Sequence, residues 1–526
     1  MDFDLVVRNG TVVTASDIWE SCDIGVKDGT IVAVGPRLPV APGAQEIDAE
    51  GAFITPGGVD CHVHLSQANH FLHSLFSDSY HEQIYEATVG VDIDHSVITN
   101  GVVPDRENYV SDTYDTGTRS AVAGGTTTVV TFASQMKKDE SIIPVIEDYH
   151  KLAKGQSYCD YSFHVIITNP TPQIVENEFP RMVDEYGITS VKLFMTYKPM
   201  KLQDYQILDL MYSARKLGIT TMVHAENADI IDWMTQHLEE KLMTHPHHHG
   251  TSRPPIVEAE ATNRVICLAE LMDTPILLVH ISGGHATKHI RDAQTRLLPI
   301  YGETCPQYMF LLADSMRKGD FEGAKCVCSP PIREDKSDQD AIWAGVKNGT
   351  FTIVSSDHAP SKYNHPNGKQ RGLQHGNLPY GKFHSIPNGL PGVETRVPLL
   401  FAGGVLSGRI SPQKFVEVTS TNPAKLYGLK KKGSIAPGFD ADLVIWYPQA
   451  NFQPFNLTNE MLHHAIDYTP FEGIEFKNWP RYTIIRGKVV FSHGEVVGEM
   501  GYGQYIRREK SLLPGPRDVW LSEWRP

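Results

Sequence analysis

The sequence predicts an α/β protein, a (β/α)8 barrel with a small β-sandwich domain formed from both chain ends. Through the middle of the chain, apolar runs of strand length alternate with helical patterns, which is typical of parallel βα architectures. At both ends, short segments of alternating apolar residues are separated by turn pairs. The chain has 526 residues, enough for a barrel of about 250 residues or more and a second domain.

The β-sandwich domain is predicted from residues 1–55 and 431–500. Alternating apolar residues favour strands with one buried face, and small or polar pairs between them favour tight turns. The pairs typical of hairpin turns are Asn9-Gly10, Asp28-Gly29, Arg486-Gly487 and His493-Gly494. The catalytic barrel then occupies residues 56–430, and residues 501–526 form a C-terminal tail.

Eight apolar runs are the candidate barrel strands. They lie at residues 57–62, 126–132, 161–168, 190–195, 220–225, 275–281, 298–304 and 351–357. Segments 173–187, 204–218 and 258–272 carry apolar residues at three- and four-residue spacing, which predicts helices between the strands.

The connection at 66–115 is too long for an ordinary loop between barrel elements. Loops of this length in compact domains are typically lids, binding loops or disordered segments. This one carries apolar and aromatic side chains that argue against plain disorder, among them Phe71, Leu72, Leu75 and Phe76. We expect either a lid over the site or a subunit contact on the same rim.

Composition and charge limit the kinds of partner that the protein is expected to bind. The chain has 62 acidic and 47 basic residues, a net charge of −15, and no long Lys/Arg cluster, which argues against DNA or RNA. No run approaches about 18 apolar residues and the N-terminus opens with acids, which predicts no membrane partner and a cytoplasmic location. Seven scattered cysteines predict reduced, mostly buried thiols, and the alternation around Cys326 and Cys328 predicts a strand.

Five metal-type ligands are predicted at one rim of the barrel. His62 and His64 follow the first strand, and His224, His280 and Asp357 each end a later apolar run. The carboxyl ends of barrel strands meet on the face where barrel active sites are built. Any one of these histidines is more simply a hydrogen-bonded core residue, but the whole set favours a metal site. Nitrogen and oxygen ligands without sulfur suit Zn, Mn or another divalent ion.

Lys192 lies within the apolar strand at 190–195. Burial disfavours an ammonium ion, so the pKa of this lysine would fall and a neutral amine would be available. Such an amine near two cations can take up carbon dioxide, and the resulting carbamate has two oxygens that can bridge metals. The alternative is a strand-end lysine that snorkels to solvent.

These segments resemble the cyclic amidohydrolases, specifically the dihydropyrimidinase and hydantoinase family, and most closely its fungal dihydropyrimidinases. The resemblance covers almost the entire chain. It rests on GVDCHVH, TSVKLFMTY, TTMVHAENAD, SRPPIVEAEATNR, ETCPQY, CVCSPPIR, FTIVSSDHAP, IPNGLPGVETR, TNPAKLYGL and the terminal SEWRP.

The resemblance implies a complete site with two divalent metal ions per subunit, taken as zinc. One metal would be bound by His62, His64 and Asp357, the other by His224 and His280, and Lys192, carboxylated to N6-carboxylysine, would bridge both. Tyr197 would polarise the substrate carbonyl, and Ser329 and Asn388 would hold the ring amide largely through main-chain groups.

The activity that the resemblance implies is hydrolysis of a cyclic amide by a metal-bridged hydroxide. A bound metal acidifies water, and Asp357 is placed to take the proton and return it to the leaving nitrogen. The substrate would be 5,6-dihydrouracil or dihydrothymine, opened to an N-carbamoyl-β-amino acid, or a hydantoin. Because the 66–115 segment is much longer than in relatives, a hydantoinase or cyclic imidase for bulkier rings is the alternative.

Two further alternatives are disfavoured by the residues. Relatives that bind the carboxylate of dihydroorotate commonly place an Arg two residues after the second His, whereas Leu65, Ser66 and Gln67 follow here, so a neutral ring fits better. Non-catalytic scaffold relatives have lost metal ligands, and all six positions are intact. By the same resemblance the protein would be a homotetramer or dimer, with the tail at 501–526 as a candidate subunit contact.

Overall fold

The computed structural model describes residues 2–40, 42–66, 110–365, 367–374 and 380–518. Most of the long connection, including Phe71, Leu72, Leu75 and Phe76, lies outside these residues, so the lid stays a prediction. Among the described helices, none is long and apolar enough to span a bilayer.

The described strands form two large sheets and one small ribbon. In chain order they are β1 (Leu5–Val13), β2 (Ile18–Lys27), β3 (Thr30–Gly35), β4 (Gln45–Asp48), β5 (Phe53–Pro56), β6 (Gly58–Val63), β7 (Thr126–Ser134), β8 (Asp160–Ile166), β9 (Ser190–Phe194), β10 (Thr220–His224), β11 (Ile276–Leu278), β12 (Ile300–Thr304), β13 (Ile353–Val354), β14 (Leu443–Trp446), β15 (Phe455–Asn456), β16 (Glu475–Phe476), β17 (Pro480–Ile485), β18 (Lys488–Ser492) and β19 (Glu495–Val496).

Strands β6 to β13 form the barrel. They lie side by side in chain order and each pair is parallel. Val63, at the end of β6, forms a parallel bridge with His358 beyond β13, which brings the first and last strands together. All eight predicted strands are confirmed, although β11 and β13 are only three and two residues long. The predicted fold class is confirmed.

The helices between the barrel strands follow the predicted apolar spacing. The described α-helices are α1 (Tyr114–Ala123), α2 (Ile143–Ala153), α3 (Phe179–Asp184), α4 (Asp204–Leu217), α5 (Ala228–Glu240), α6 (His248–Thr251), α7 (Pro255–Met272), α8 (Gly284–Thr295), α9 (Pro306–Phe310), α10 (Lys336–Asn348), α11 (Arg396–Leu400), α12 (Pro412–Val416) and α13 (Asn422–Leu426). The three helical segments predicted from spacing are confirmed. The first corresponds to a π-helical turn, Ile174–Glu178, followed by α3, and the other two correspond to α4 and α7.

The second large sheet is built from both ends of the chain, as predicted. Its strand order is β19-β18-β17-β14-β5-β1-β2-β3, with β4 paired to β1. Strand β5, which leads directly into the barrel, lies between β1 and β14. The residue limits of the two domains stay a prediction.

Three of the four predicted hairpin turns are confirmed, at residues 28–29, 486–487 and 493–494. The prediction at Asn9-Gly10 is wrong, because both residues lie inside β1, where its pairing with β2 shifts register. Asn9 has a φ of 53°, and a Cβ at Gly10 would lie 2.1 Å from Cδ1 of Ile54. The pair forms a bulge that admits this neighbouring side chain.

Alternation along β9 turns Lys192 toward the barrel interior. Val191 and Leu193 belong to the apolar layer between strands and helices, whereas Phe194 packs in the apolar layer inside the barrel. Because side chains alternate along a strand, Lys192 shares the inner face with Phe194. Lys192 is 1% exposed, so the alternative of a snorkelling lysine is wrong.

The cysteines are free, and six of the seven are buried. The strand predicted at Cys326 and Cys328 is wrong. Cys326 is the last residue of a 3-10 helix, Glu322–Cys326. The N–H of the next residue, Val327, donates to the carbonyl of Ala324.

The described part of the C-terminal tail packs on its own chain. The N–H of Ile506 donates to the carbonyl of Tyr161, and Arg508 and Glu509 continue this contact on Gly187 and Gly428. The Arg508 side chain is buried and donates to Ser162 and Ser190, at the start of β8 and β9. Residues 501–518 therefore cover the amino end of the barrel, and a subunit contact by the tail stays a prediction.

Candidate active site

The structure brings three of the predicted ligands into one group at the carboxyl end of the barrel. One ligand atom each from His62, His64 and Asp357 lies within 4.8 Å of the others. Nε2 of His62 is 3.2 Å from Oδ1 of Asp357, and Nε2 of His64 is 3.6 Å from the same oxygen. Two imidazoles and a carboxylate that converge in this way are typical of a divalent metal site.

Burial controls the charge of this group. It lowers the pKa values of His62 and His64, so both imidazoles are neutral and can offer lone pairs. Burial alone would raise the pKa of Asp357, but the adjacent His62 and His64 hold it well below its usual range. Neutral imidazoles beside an ionised carboxylate are the forms that bind metals.

Lys192 reaches the same group from β9. Its Nζ lies 3.2 Å from Nε2 of His62 and 5.3 Å from the ring centroids of Phe132 and Phe194. Burial lowers the pKa of Lys192 to about 8, which makes the neutral amine accessible near neutral pH.

His224 and His280 lie beside the first group. Their ring centroids are 4.4 Å apart, and His280 is 5.4 Å from His62. Burial lowers both pKa values, and Nδ1 of His280 is buried without a hydrogen-bond partner among the described residues. A buried neutral imidazole with an unpartnered nitrogen fits a ligand position.

Two carboxylates that the sequence analysis missed orient these imidazoles. Glu303, at the end of β12, lies with Oε1 2.6 Å from Nδ1 of His62 and accepts the N–H of His280. Oε2 of Glu226 lies 2.7 Å from Nε2 of His224 and also accepts from Arg253 at 2.8 Å. Acidic side chains behind metal-binding histidines typically fix the ring and its tautomer. When ionised they accept the ring N–H, which leaves the lone pairs on Nε2 of His62 and Nδ1 of His224 for a metal; burial raises the pKa of Glu303 to about 8.

The three residues predicted to contact substrate form a second group. Nδ2 of Asn388 donates to the Tyr197 hydroxyl at 3.1 Å and to Oγ of Ser329 at 2.8 Å. Burial raises the pKa of Tyr197 to about 12, so its hydroxyl keeps its proton and can donate. The Tyr197 ring lies 5.4 Å from that of His224, which places this group against the predicted ligands.

The backbone at three site residues is unusual. Tyr197, His280 and Asp357 have φ values of 62°, 41° and 49°. Non-glycine residues rarely adopt positive φ, least of all bulky ones, and such conformations are held by the surrounding structure. Tyr197, His280 and Asp357 follow β9, β11 and β13, so this backbone conformation recurs where strands leave the barrel at its carboxyl end.

A small cavity borders the second group. It has a volume of about 80 Å³ and is lined by Tyr197, Asn388, His249, Arg253 and Phe383, among others. Arg253 also lies 5.7 Å from the centroid of the Tyr197 ring. The part of the pocket that the described residues form is therefore narrow and partly polar.

The residues present fit divalent cations. Metal ligands with nitrogen and oxygen atoms, and without sulfur, are supplied by four neutral buried imidazoles, the ionised Asp357 and Lys192, whose pKa is lowered. The unpartnered nitrogen of His280 and the carboxylates behind His62 and His224 are what a metal site requires.

The missed carboxylates had a signal in the sequence. Glu303 is the penultimate residue of β12, close to the position that His224 takes at the end of β10, so the rule that identified the ligands also points to this residue. Glu226 follows His224 by two residues, but its contact with Arg253 joins two separate loops. Only the fold reveals that contact.

Comparison with known proteins identifies the family of the chain. The model of the amidohydrolase family matches residues 53–490. The D-hydantoinase of Geobacillus stearothermophilus is 38% identical over 517 residues, covering 98% of each chain, and the D-phenylhydantoinase of Escherichia coli strain SE11 is 34% identical over 516 residues, covering 97% of this chain and 99% of the relative.

Solved structures give the same result. The crystal structure of dihydropyrimidinase from Brevibacillus agri superposes with a TM-score of 0.84 at 36% identity, covering 97% of this chain and 99% of that one. The narrower likeness to fungal members stays a prediction. The chain belongs to the amidohydrolase family and, within it, to the group of the hydantoinases and dihydropyrimidinases, which are cyclic amidohydrolases.

Proposed function

We propose that this protein hydrolyses a small neutral cyclic amide, 5,6-dihydrouracil or dihydrothymine, to an N-carbamoyl-β-amino acid, and that it also opens hydantoins. The observation that carries the proposal is that the two groups of the site are adjacent. The Tyr197 ring, whose hydroxyl accepts from Asn388, lies 5.4 Å from the ring of His224, and His224 lies beside His280 and the first group. A ring amide held between them would have its carbonyl within reach of both.

The proposed metal content is two divalent ions per subunit, zinc in the first instance. His62, His64 and Asp357 would hold one, His224 and His280 the other, and a carbamate on Lys192 both. Bound divalent cations supply Lewis acidity toward the carbonyl and acidify water. The low pKa of Lys192 supports the carbamate, because only the neutral amine adds carbon dioxide.

Each remaining step is assigned to a side chain. Asp357 accepts a proton from the attacking water and returns it to the ring nitrogen as the amide bond breaks. The Tyr197 hydroxyl, protonated because of its raised pKa, donates to the carbonyl oxygen as negative charge develops there. A donor in this position is typically worth about 3–4 kcal/mol. Ser329 and Asn388 orient the ring, largely through their main-chain groups.

A neutral substrate is favoured by the charges at the site. The cation nearest to Tyr197 among the described contacts is Arg253, and Glu226 already pairs with it. Leu65 and Ser66 stand where a carboxylate-binding Arg would be expected.

A second candidate is a hydantoinase for bulkier rings. Relatives at 34–38% identity are named D-hydantoinase and D-phenylhydantoinase, and the second name indicates a large ring substituent. A non-catalytic scaffold is disfavoured because all six ligand positions are present. We also propose that the enzyme is cytoplasmic and that it forms a homotetramer or a dimer; light scattering of the purified protein tests the assembly.

The test is a ring-opening assay on purified protein of known metal content. 5,6-Dihydrouracil, hydantoin, a bulky 5-substituted hydantoin and a cyclic imide are compared under identical conditions. The proposal expects dihydrouracil to have the highest kcat/KM and activity to rise with metal up to about two ions per subunit. A bulkier ring as best substrate would favour the second candidate, and no opening of any ring by the metal-loaded protein would contradict both.

A further inference from the structure

Lys369 is a buried cation that the proposed mechanism does not use. It begins a 3-10 helix at Lys369–Gln374 and is 0% exposed. Its Nζ donates to three main-chain carbonyls, those of Val327 at 2.8 Å, Pro387 at 2.7 Å and Gly389 at 2.7 Å. No carboxylate of the described residues lies within ion-pair distance of this Nζ.

The three carbonyls belong to the two loops that carry Ser329 and Asn388. Val327 lies two residues before Ser329, and Pro387 and Gly389 flank Asn388 on both sides. The loops also touch directly, since the N–H of Gly389 donates to the carbonyl of Val327 at 3.1 Å. Lys369 therefore sits behind the contact between Asn388 and Ser329.

An ammonium group suits this position for a simple reason. Three carbonyl oxygens around one point repel each other, and Nζ of a protonated lysine offers one N–H to each of them. Burying a cation without a carboxylate costs free energy, and burial lowers the pKa of Lys369 to about 7. The three charge-assisted hydrogen bonds offset part of that cost, and they fix the spacing of the two loops.

A second buried lysine shows the contrast. Nζ of Lys432 lies 2.6 Å from Asp160 and 2.8 Å from Asp442, so its charge is neutralised by carboxylates. Lys432 links Asp160, the first residue of β8, to Asp442, the residue before β14, and lies away from the site. Lys369 instead has neutral partners, all of them next to predicted substrate contacts.

We propose that Lys369 is a positioning residue for ring binding: its ammonium group holds the main chain around Ser329 and Asn388 at the spacing that receives the ring amide. The inference rests on the proposed function for the identity of the ring. It adds that affinity for the ring depends on a side chain that does not touch it.

The test measures kcat and KM of metal-loaded Lys369→Met and Lys369→Gln. Contacts made equally in the ground state and transition state change KM rather than kcat. Lys369→Met is expected to raise KM for the best ring substrate about tenfold or more, with kcat within about threefold and metal content unchanged. Lys369→Gln keeps two N–H donors and is expected to fall between wild type and Lys369→Met.

A double-mutant cycle separates positioning from folding. A Cβ at Gly389 would lie 2.1 Å from the carbonyl oxygen of Ala359, so Gly389→Ala displaces the main chain beside Asn388. If Lys369 acts by holding that main chain, Lys369→Met adds much less to the KM of Gly389→Ala than to that of wild type. The matched control is Arg508→Met, because Arg508 is also a buried cation with uncharged oxygen partners, Ser162 and Ser190, at the other end of the barrel. It should lower stability and leave KM unchanged.

The outcomes are distinct. A folded Lys369→Met with KM within twofold of wild type, or multiplicative effects in the cycle, overturns the inference while the proposed function stands. Failure of both Lys369 variants to fold would make the lysine a folding residue and also overturn it. If wild-type protein with metals opens no ring, the proposed function fails and this inference falls with it.

Discussion

The two ends of the barrel use buried charge in different ways. At the carboxyl end, His62, His64 and Asp357 converge, Asp357 with a positive φ, and Nδ1 of His280 has no hydrogen-bond partner among the described residues. At the amino end, the Arg508 guanidinium bonds to Ser162 and Ser190 and lies 5.6 Å from the Tyr427 ring. Each end contains a buried nitrogen without a hydrogen-bond partner among the described residues, Nδ1 of His280 and Nη1 of Arg508, but only the imidazole can offer a lone pair to a ligand, because a guanidinium only donates.

The difference teaches where substitutions should matter for chemistry. A barrel carries catalysis on the loops after its strands, and its opposite face contributes mainly to stability. In this chain the C-terminal tail, rather than a loop of the barrel, supplies the cover. Substitutions at the two ends should therefore change different measurements.

The largest effect is expected at the proton carrier. Asp357→Asn removes the group that takes and returns the proton, so kcat on the best ring substrate should fall about 10³–10⁴-fold. Asp340→Asn is the control, because Asp340 is an exposed carboxylate that pairs only with Lys336 in the described structure. A metal-loaded Asp357→Asn that keeps a tenth of the wild-type activity would show that Asp357 is not the proton carrier.

Tyr197→Phe should come next. It deletes the hydroxyl that donates to the developing oxyanion and keeps the ring against His224. A loss of about 10²–10³ in kcat is expected, equivalent to about 3–4 kcal/mol. Steady-state kinetics with metal analysis test this, and a change confined to KM would contradict the oxyanion role.

Glu226→Gln should weaken the support of the site rather than its chemistry. It removes the charge that orients His224 and pairs with Arg253, so metal affinity should fall about 10–100-fold. Chelator titration followed by activity measures the affinity, and excess metal should restore most of kcat. Unchanged resistance to chelation would show that Glu226 does not act through His224.

Arg508→Met should have the smallest effect on activity. The substitution leaves Ser162 and Ser190 without their guanidinium partner, at a cost of about 1–3 kcal/mol in the free energy of unfolding. Urea denaturation should show the lower midpoint, while kcat/KM stays within about twofold of wild type. A tenfold loss of kcat/KM in this variant would mean that the two ends are coupled.

The sequence was sufficient for the barrel, and for the convergence of His62, His64 and Asp357 at its rim, because both follow local rules. Buried parallel strands are continuous apolar runs, and ligands such as His224 stand where those runs end. Asn9-Gly10 was misread because a bulge and a turn share the same residues, and only the neighbouring Ile54 decides between them. Lys369 has no local signal, since its acceptors lie 18 to 42 residues away.

The sheet built from both chain ends can be completed only late in synthesis, when the C-terminal strands have been made. Nε1 of Trp446 on β14 donates to Oγ1 of Thr55 on β5 across 391 residues of sequence. At about 5–20 residues per second, a ribosome needs about 20–80 s to deliver that partner. The hairpin of β1 and β2 can form early, but β5 leaves the ribosome with one edge unpaired until the barrel has been made. In a nascent chain of this protein, the open edge of β5 is therefore covered only after β14 has been synthesised.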